Sequence, residues 1–221
     1  MVNRPAADNS LPGEHAADAS PADDRLLGQL RFLVEIDRLK TVRRRTLLTD
    51  RSRRENSAEH SWHIALMAIL LSEYAAPGLD IARVVSMLLV HDLVEIDAGD
   101  TFAYDVDGNA TREAREHEAA GRLFGLLPAD QGRMLRQLWE EFEASGTPEA
   151  CFAHAIDRLQ PLLQNVMGKG GTWRSHGVTR EQVIERMRPI AETCPTLWRY
   201  AEWAIAEVWV KGEVRDPEQD P

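Results

Sequence analysis

Two stretches of the sequence combine acidic and imidazole side chains with apolar runs of helical character. One is Glu-His-Ser-Trp-His at positions 59–63, directly before the apolar run 64–71, and the other is His-Asp-Leu-Val-Glu at positions 91–95, directly after the mostly apolar run 84–90. An unpaired charge in a protein interior costs on the order of several kcal/mol, so such groups are rarely buried without a use for them. Imidazole and carboxylate groups are also ligands of catalytic divalent metal ions. We therefore predict buried helices that carry a metal site.

Helical periodicity extends over most of the sequence. Apolar residues recur every three or four positions between Gly- and Pro-containing breaks, and no stretch alternates with period two for long enough to form a convincing strand. The run 64–71 is apolar on every side, which predicts a central, buried helix. Pro161 falls within a predicted helix and should kink or divide it. The predicted fold class is all-α, with helices at about 24–36, 57–74, 81–95, 110–125, 129–144, 148–168, 179–191 and 195–211.

The domain organisation follows from length and composition. A chain of 221 residues suits one domain with short extensions. Residues 1–22 are rich in Ala, Pro, Asp and Asn and lack an apolar period, which predicts a disordered tail. The predicted domain covers residues 23–212 and is followed by a C-terminal tail at 213–221. The Gly-rich segment 168–177 is predicted to be a loop within the domain.

Charge and hydropathy limit the classes of partner. A net charge of −10 argues against binding of a nucleic acid polymer. The longest apolar run is far shorter than the roughly 20 residues that cross a membrane, and the N-terminus shows no secretory signal. The two cysteines, Cys151 and Cys194, are too few for a disulfide framework. These features predict a cytoplasmic protein without a membrane or nucleic acid partner.

The basic residues are concentrated in one segment. Positions 38–54 contain eight Arg or Lys residues and the single acid Asp50. We predict that this segment is a loop between the first two helices. Such a local positive charge could bind an anionic small substrate, or it could belong to a solvated loop. The charge pattern alone leaves both interpretations open.

The spacing of the polar residues suggests how they could share one metal ion. Glu95 lies one helical turn from His91 and Asp92 and therefore shares their region of the helix surface. Neighbouring helical residues point about 100° apart, so His91 and Asp92 converge only on something at the helix edge. A metal ion between this helix and two others meets that requirement, with His60 and Asp157 as the further ligands. Glu95 would then be available for acid–base chemistry.

Other histidines and a glycine-rich motif are weaker candidates. Spacing alone does not separate His60 from His63 as the ligand, and either residue taken alone could be a structural core histidine. His117 and His154 lie in charged or mixed surroundings and are predicted to have no role at the site. The Gly-Lys-Gly-Gly motif at 168–171 lacks the strand and helix that flank a phosphate-binding loop, so we interpret it as a flexible loop.

The combined pattern His60 … His91-Asp92 … Asp157 resembles that of the HD-domain metal-dependent phosphohydrolases. The segment 55–61, the spacing of Glu95 and Asp100 after the His-Asp pair, and the final aspartate are similar to the bacterial 5′-deoxynucleotidases and the HD-domain-containing protein 2 family. The resemblance covers about residues 25–200.

This resemblance implies an all-α HD-domain bundle that forms a homodimer and removes phosphate from nucleoside 5′-monophosphates, including deoxynucleotides. It implies one divalent metal ion (Mn, Co, Mg, Fe or Zn) held by four ligands, His60, His91, Asp92 and Asp157. Glu95 matches the catalytic acid or base, and Asp100 lies near the sugar or the attacking water. Because the ligand follows a glutamate in the family pattern, His60 is favoured over His63.

The arginine-rich segment departs from the family pattern. In the deoxynucleotidases an Arg-Trp pair follows a Leu-Lys pair and contacts the nucleotide. Here Leu39-Lys40 is followed by Arg44, which matches the arginine, and by Arg45 in place of the tryptophan. Contact with phosphate is therefore expected, whereas discrimination against ribose is not implied. A nucleoside triphosphohydrolase, a phosphodiesterase or a non-catalytic nucleotide-binding module are the alternative functions.

Overall fold

Helices dominate the part of the chain that the structure, a computed structural model, describes, which is residues 23–216. They are α1 (Asp24–Ile36), α2 (Ser57–Leu70), α3 (Ile81–Val90), α4 (Glu95–Ala98), α5 (Val106–Ala110), α6 (Arg112–Phe124), α7 (Ala129–Ala144), α8 (Pro148–Met167), α9 (Gly171–Ser175), α10 (Arg180–Arg186), α11 (Arg188–Thr193) and α12 (Pro195–Val210). Short 3₁₀ helices span Asp37–Thr41, Ser72–Tyr74 and His91–Val94. The all-α prediction is confirmed. The predicted tail at 1–22, and residues 217–221 of the predicted C-terminal tail at 213–221, lie outside the described residues.

Local capping interactions determine where α2 and α8 begin. The Asn56 side chain accepts a hydrogen bond from the Glu59 amide at 2.9 Å, and the Glu59 carboxylate accepts one from the Asn56 amide at 3.2 Å. This reciprocal arrangement satisfies amide groups at the helix start that would otherwise lack partners. Thr147 caps α8 through the Ala150 amide, and proline occupies the first position of that helix. Both helices that carry proposed metal ligands thus have defined starting points.

The main core lies where α2, α3 and α8 pack together. Its fully buried residues include Ile64 and Ala68 of α2, Met87 and Leu88 of α3, and Ile156 of α8. The central position of α2 matches the prediction only in part. The run 64–71 was predicted to be buried on every side of the helix. This prediction is wrong for the isolated chain, because Leu66, Ile69 and Leu70 face solvent.

Pro161 does not divide α8, which continues from Pro148 to Met167. Proline lacks the amide that would bond the carbonyl four residues earlier, which is that of Asp157. Packing outweighs this loss, because most of one face of the helix is buried in the core. The Pro161 carbonyl is itself bonded by the Asn165 side chain at 2.8 Å. The prediction that Pro161 could divide the helix is therefore wrong.

The arginine-rich segment forms a short antiparallel hairpin instead of the predicted loop. Its strands are β1 (Arg43–Leu47) and β2 (Arg54–Asn56), paired at Arg43 with Asn56 and at Leu47 with Arg54. A five-residue strand with three successive arginines has no clear period-two pattern in the sequence. Hydrogen bonds with β2 hold this segment in a strand conformation that its sequence pattern does not reveal. Alternation along β1 turns Arg44 inward, whereas its two arginine neighbours are exposed.

The His-Asp segment is also more tightly wound than predicted. α3 ends at Val90, the 3₁₀ helix His91–Val94 follows, and Glu95 begins α4. A 3₁₀ turn has about three residues per turn, so it changes the directions of the side chains relative to an α-helix. Gly99, with φ of +76°, ends α4 in a conformation that favours glycine. The sharp change of chain direction places Asp100 back toward the site.

The C-terminal half contains further departures from the prediction. α9 lies within the segment predicted as a loop, and the helix predicted at 179–191 is divided into α10 and α11. Beyond residue 212, Val214 is buried in the main core, and the Asp216 side chain accepts hydrogen bonds from the Arg180 amide and Trp209 Nε1. No helix within residues 23–216 is long and apolar enough to cross a membrane.

Candidate metal centre

Three proposed ligands, from three separate elements, meet at one point. The ligating atoms of His60 (α2), His91 (3₁₀ helix) and Asp157 (α8) all lie within 4.8 Å of one another. His60 Nε2 is 2.9 Å from Asp157 Oδ1, and His91 Nε2 is 3.8 Å from the same oxygen. Two imidazole nitrogens and a carboxylate oxygen at this spacing could hold a divalent metal ion.

The hydrogen bonds behind both imidazoles orient them for metal binding. His91 Nδ1 is 2.9 Å from the Leu88 carbonyl, which can only accept, so Nδ1 carries the proton. His60 Nδ1 donates to Gln160 Oε1 at 3.1 Å, and the Gln160 amide is oriented by donating to the Glu55 carboxylate at 2.6 Å. In a neutral ring the lone pair is then on Nε2, the atom that faces the centre. Where Nε2 is protonated instead, it donates to Asp157 from His60 and to Asp92 from His91. Such outer hydrogen bonds are typical of metal-binding histidines, and this donor set fits a divalent ion.

Asp92 lies beside this trio and bridges it to the arginine hairpin. Its Oδ1 is 3.0 Å from His91 Nε2, and its Oδ2 accepts a hydrogen bond from Arg44 Nη1 at 2.9 Å. It does not belong to the three-residue cluster whose atoms lie within 4.8 Å. Burial acts to raise the pKa of Asp92, but the charges of His91 and Arg44 outweigh it and lower the pKa to about 2.

The electric field at the centre favours positive charge. Burial opposes protonation of His91, but the charges of Asp92, Asp157 and Glu95 and the Asp92 hydrogen bond raise its pKa to about 9. Burial likewise acts against ionisation of Asp157, yet its hydrogen bond with His60 and the nearby positive charges hold its pKa well below the usual range. The carboxylates that stabilise an imidazolium here would also stabilise a metal cation.

Glu95 is buried next to the centre and is held by a serine. Ser57 Oγ, at the start of α2, donates a hydrogen bond to Glu95 Oε2 at 2.6 Å. Burial and the charge of Asp92 raise the pKa of Glu95 well above its usual value. Ser57 thus fixes one carboxyl oxygen of a side chain that also lines the cavity. This environment suits an acid–base residue at neutral pH.

Arg44 is surrounded by carboxylates and is only 14% exposed. Besides its bond to Asp92, its Nη1 is 3.9 Å from Asp100 Oδ1, and its Nε is 3.7 Å from Glu55 Oε2. Burial acts to lower the pKa of Arg44, but the charges of Asp92, Glu95 and Asp100 outweigh it and raise the pKa. Burial raises the pKa of Asp100, although Arg44 opposes the change. The charge of Arg44 is thus largely balanced within the protein.

A cavity of about 300 Å³ opens onto this centre. Seven of the eight predicted site residues line it: Arg44, Arg45, His91, Asp92, Glu95, Asp100 and Asp157. His60 is fully buried behind them. His63, the alternative to His60, lies outside the three-residue cluster, and its Nδ1 is 3.3 Å from Gln160 Nε2.

The HD domain model matches residues 36–198, which is most of the chain. The chain belongs to the HD-domain family. The membership predicted from the residue pattern is therefore confirmed.

Curated relatives of this HD-domain chain include the 5′-deoxynucleotidase HDDC2 of Mus musculus, 32% identical over 62% of this chain and 68% of that protein. The Homo sapiens protein of the same name is 32% identical over 61% of this chain and 65% of that protein. The matches thus span about two thirds of the length of these relatives.

Two solved structures resemble the HD-domain fold described above. A predicted metal-dependent phosphohydrolase from Magnetospirillum magnetotacticum MS-1 has a TM-score of 0.84 and 54% identity, over 88% of this chain and 97% of that chain. A conserved hypothetical protein from Pyrococcus furiosus has a TM-score of 0.55 and 19% identity, over 81% of this chain and 98% of that chain. The second likeness concerns the fold alone.

His154 was not predicted at the site, yet it lines the cavity of this HD-domain protein. Its ring stacks on Phe142 with centroids 4.0 Å apart, and its Nε2 bonds the Phe142 carbonyl at 2.7 Å. Burial and the charge of Arg158 lower the pKa of His154 to about 4, so it is neutral at pH 7. One signal was available in the sequence, because His154 precedes Asp157 by one helical turn. His117, the other histidine set aside, packs edge-on against Trp139 at 5.0 Å.

Sequence reasoning also missed the wall of the cavity formed by α8 and α10. Arg158 and Arg186 line it, together with Tyr104 and Trp173. Burial and the charge of Arg186 lower the pKa of Arg158 to about 10. Arg158 follows Asp157 directly in the sequence. Its position inside the cavity, beside an arginine of α10, depends on the tertiary packing of these helices, which the sequence pattern does not reveal.

Proposed function

We propose that this HD-domain hydrolase removes phosphate from nucleoside 5′-monophosphates, including deoxynucleotides. The observation that carries the proposal is the convergence of His60, His91 and Asp157 at a cavity that Glu95 also lines. The names of the curated relatives, 5′-deoxynucleotidases, support the substrate class. They also favour an enzyme over a non-catalytic binding module.

We propose one divalent metal ion, drawn from Mn, Co, Mg, Fe and Zn, as the cofactor. Asp92 would join the three clustered residues as the fourth ligand, and its contact with His91 Nε2 supports this role. When bound, such an ion supplies Lewis-acid polarisation of the phosphoryl group and acidification of water. Arg44 would hold Asp92 in position through their 2.9 Å hydrogen bond.

Glu95 is proposed as the acid–base group of the reaction. Its raised pKa favours a protonated carboxyl group that can deliver a proton to the leaving 5′-oxygen of the nucleoside. Asp100, half-buried beside Arg44, is proposed to contact the sugar or the attacking water. Arg44 and Arg45 are also proposed to contact the substrate. For Arg45, this role is supported by its place in the cavity lining and by its exposure to solvent.

Phosphate release from a panel of ribo- and deoxyribonucleoside monophosphates, with Mn²⁺, Co²⁺ or Mg²⁺ added, tests the proposal. We expect release of inorganic phosphate that is abolished by a chelator and restored by metal. Pyrophosphate or triphosphate as the product from nucleoside triphosphates would instead favour the triphosphohydrolase alternative. Activity confined to phosphodiesters would favour the phosphodiesterase alternative.

We also propose that the protein forms a homodimer through α2. On its exposed side, Trp62, Leu66, Ile69 and Leu70 are between 41% and 65% exposed. The last three follow Trp62 by four, seven and eight positions, so the four residues form one apolar stripe, which is typical of an interaction surface. We expect L66E to convert a dimer into a monomer in sedimentation analysis. V210E, which places a glutamate at the exposed Val210 of α12, is the control and should leave the dimer intact.

Cytoplasmic location and the absence of a nucleic acid partner remain predictions. The net charge of −10 supports the second, because polyanions are bound by basic surfaces. Fractionation of cells that express the protein and a salt-dependent nucleic acid binding assay would test the two predictions separately.

A further inference from the structure

Besides the hairpin arginines, three arginines from α6, α8 and α10 line the cavity: Arg112, Arg158 and Arg186. Arg112 is paired with acids, because its Nε donates to Glu116 at 2.7 Å and its Nη2 is 3.5 Å from a Glu143 oxygen. Arg158 and Arg186 differ from it. Within residues 23–216, no carboxylate oxygen lies within 4.0 Å of a side-chain nitrogen of either arginine.

Arg158 also has unused hydrogen-bonding capacity. Its Nε is buried and has no hydrogen-bond partner in the described part of the chain, and its Nη1 makes only a long 3.4 Å contact with the His154 carbonyl. A guanidinium carries five N–H donors, and a buried donor without a partner is costly. Placing the like charge of Arg186 nearby adds to that cost. Such an arrangement is expected where an anionic ligand provides the missing acceptors.

The chemistry of this arginine pair indicates phosphate. The planar guanidinium fork binds phosphate oxygens in a bidentate way, with charge-assisted hydrogen bonds. Arg44 is less available for this task, because Asp92, Glu55 and Asp100 already surround it. Within residues 23–216, the cavity arginines without an ion-pair partner are Arg158, Arg186 and the exposed Arg45 of the hairpin. Of these three, Arg158 is the one with a buried N–H donor that lacks an acceptor.

We propose that Arg158 and Arg186 bind a phosphate group of the substrate. This inference rests on the proposed function, since the pair lines the same cavity as the metal centre. The phosphate is either the one that is removed or a second phosphate of a nucleotide that carries two. Both residues are specificity determinants here, because they contact the substrate without exchanging protons with it.

The test compares R158Q and R186Q with wild type and with R188Q. Arg188 is an exposed arginine two residues beyond Arg186 that pairs with Glu185 outside the cavity, so its variant is the matched control. Steady-state kinetics would be measured with a nucleoside 5′-monophosphate and with the corresponding 3′,5′-bisphosphate. Inhibition by inorganic phosphate and by the uncharged nucleoside would be measured alongside. Circular dichroism would establish that each variant is folded, and R186Q keeps the test valid if R158Q is not.

We expect KM for a phosphate-bearing substrate to rise about 10- to 100-fold in R158Q and R186Q, the range for loss of a charged hydrogen bond. Inhibition by the nucleoside should not change, and R188Q should behave as wild type. A rise with both substrates identifies the removed phosphate as the ligand, whereas a rise with the bisphosphate alone identifies a second phosphate.

The inference is overturned if KM for both substrates and inhibition by inorganic phosphate stay within twofold of wild type in both variants. If wild type releases no phosphate from any nucleotide, the proposed function fails. Calorimetric binding of the bisphosphate to wild type, R186Q and R188Q would then decide the arginine site separately. Weaker binding by R186Q alone would support the site, and equal binding by all three would overturn it.

Discussion

The Ser57 hydroxyl donates a 2.6 Å hydrogen bond to Glu95 Oε2, and both residues are buried. They are 38 positions apart in the sequence. This bond joins the first residue of α2 to the first residue of α4, so the start of α2 also positions the proposed acid–base group. It stabilises the ionised form of Glu95 and thereby opposes the effect of burial on the pKa.

Replacing Ser57 with Ala should move the pH dependence of catalysis. Loss of the hydrogen bond removes a pKa-lowering interaction, so the pKa of Glu95 rises further. The limb of the pH–kcat profile that reports Glu95 should therefore shift to higher pH. S61A is the control, because Ser61 is buried on the same helix and its Oγ has no hydrogen-bond partner within residues 23–216. Equal shifts in both variants would count against a specific role for Ser57.

Replacing Glu95 with Ala should separate catalysis from metal binding. Metal content and folding should stay near wild type, while kcat falls roughly 10²- to 10⁴-fold, the usual contribution of a positioned acid or base. D92A should lose metal and activity together, because it removes a proposed ligand. Elemental analysis and phosphate release on the purified variants measure both effects. Metal-free E95A would show that Glu95 is a ligand.

Gln160 should support metal binding without contacting the ion. Its Oε1 accepts the proton of His60 Nδ1 at 3.1 Å, so Q160L should leave that ring without its orienting partner. Loss of such a partner typically lowers metal affinity by 10- to 100-fold. Q164L is a matched control, since Gln164 donates to the same Glu55 oxygen at 2.9 Å but has no hydrogen bond to His60. Metal titration should rank the affinities as wild type, then Q164L, then Q160L.

The metal-free protein should lose stability as pH rises above neutrality. The pKa of His91 is about 9 in the folded chain, above its ordinary 6.5. Its contribution to stability is thus complete below about pH 6.5 and is lost as pH rises through 9. The loss is on the order of 3 kcal/mol from this group.

Denaturant unfolding of chelator-treated protein between pH 6 and 9.5 measures this loss, and H91N should remove it. Metal affinity should rise over the same range, because binding displaces the proton from Nε2. A stability of wild type that does not depend on pH in this window would contradict the electrostatic description of the centre.

The chemical character of the centre could be predicted from the sequence. The residue types at positions 60, 91, 92 and 157, set among apolar helical neighbours, indicated a buried metal site. Most helix boundaries were also predictable, because capping and apolar periodicity depend on residues within about four positions. The start of α2 at Ser57 is an example, since its cap involves only Asn56 and Glu59.

Other features depend on contacts between distant segments and could be seen only in the tertiary structure. β1 is ordered by pairing with β2, and this pairing turns Arg44 toward Asp92, 48 positions away. The winding of His91–Val94 as a 3₁₀ helix differs from the α-helix that local periodicity indicated.

The sequence by itself therefore determined which side chains could form the centre, because their chemistry and helical setting are local properties. The tertiary structure alone decided which of them converge. It brought His60 to Asp157 across 97 positions and left His63 outside the cluster. It also brought Arg158 and Arg186 into the same cavity from α8 and α10. The physical reason is that burial, electrostatic balance and side-chain direction are set by packing between helices far apart in the chain, and no local pattern encodes that packing.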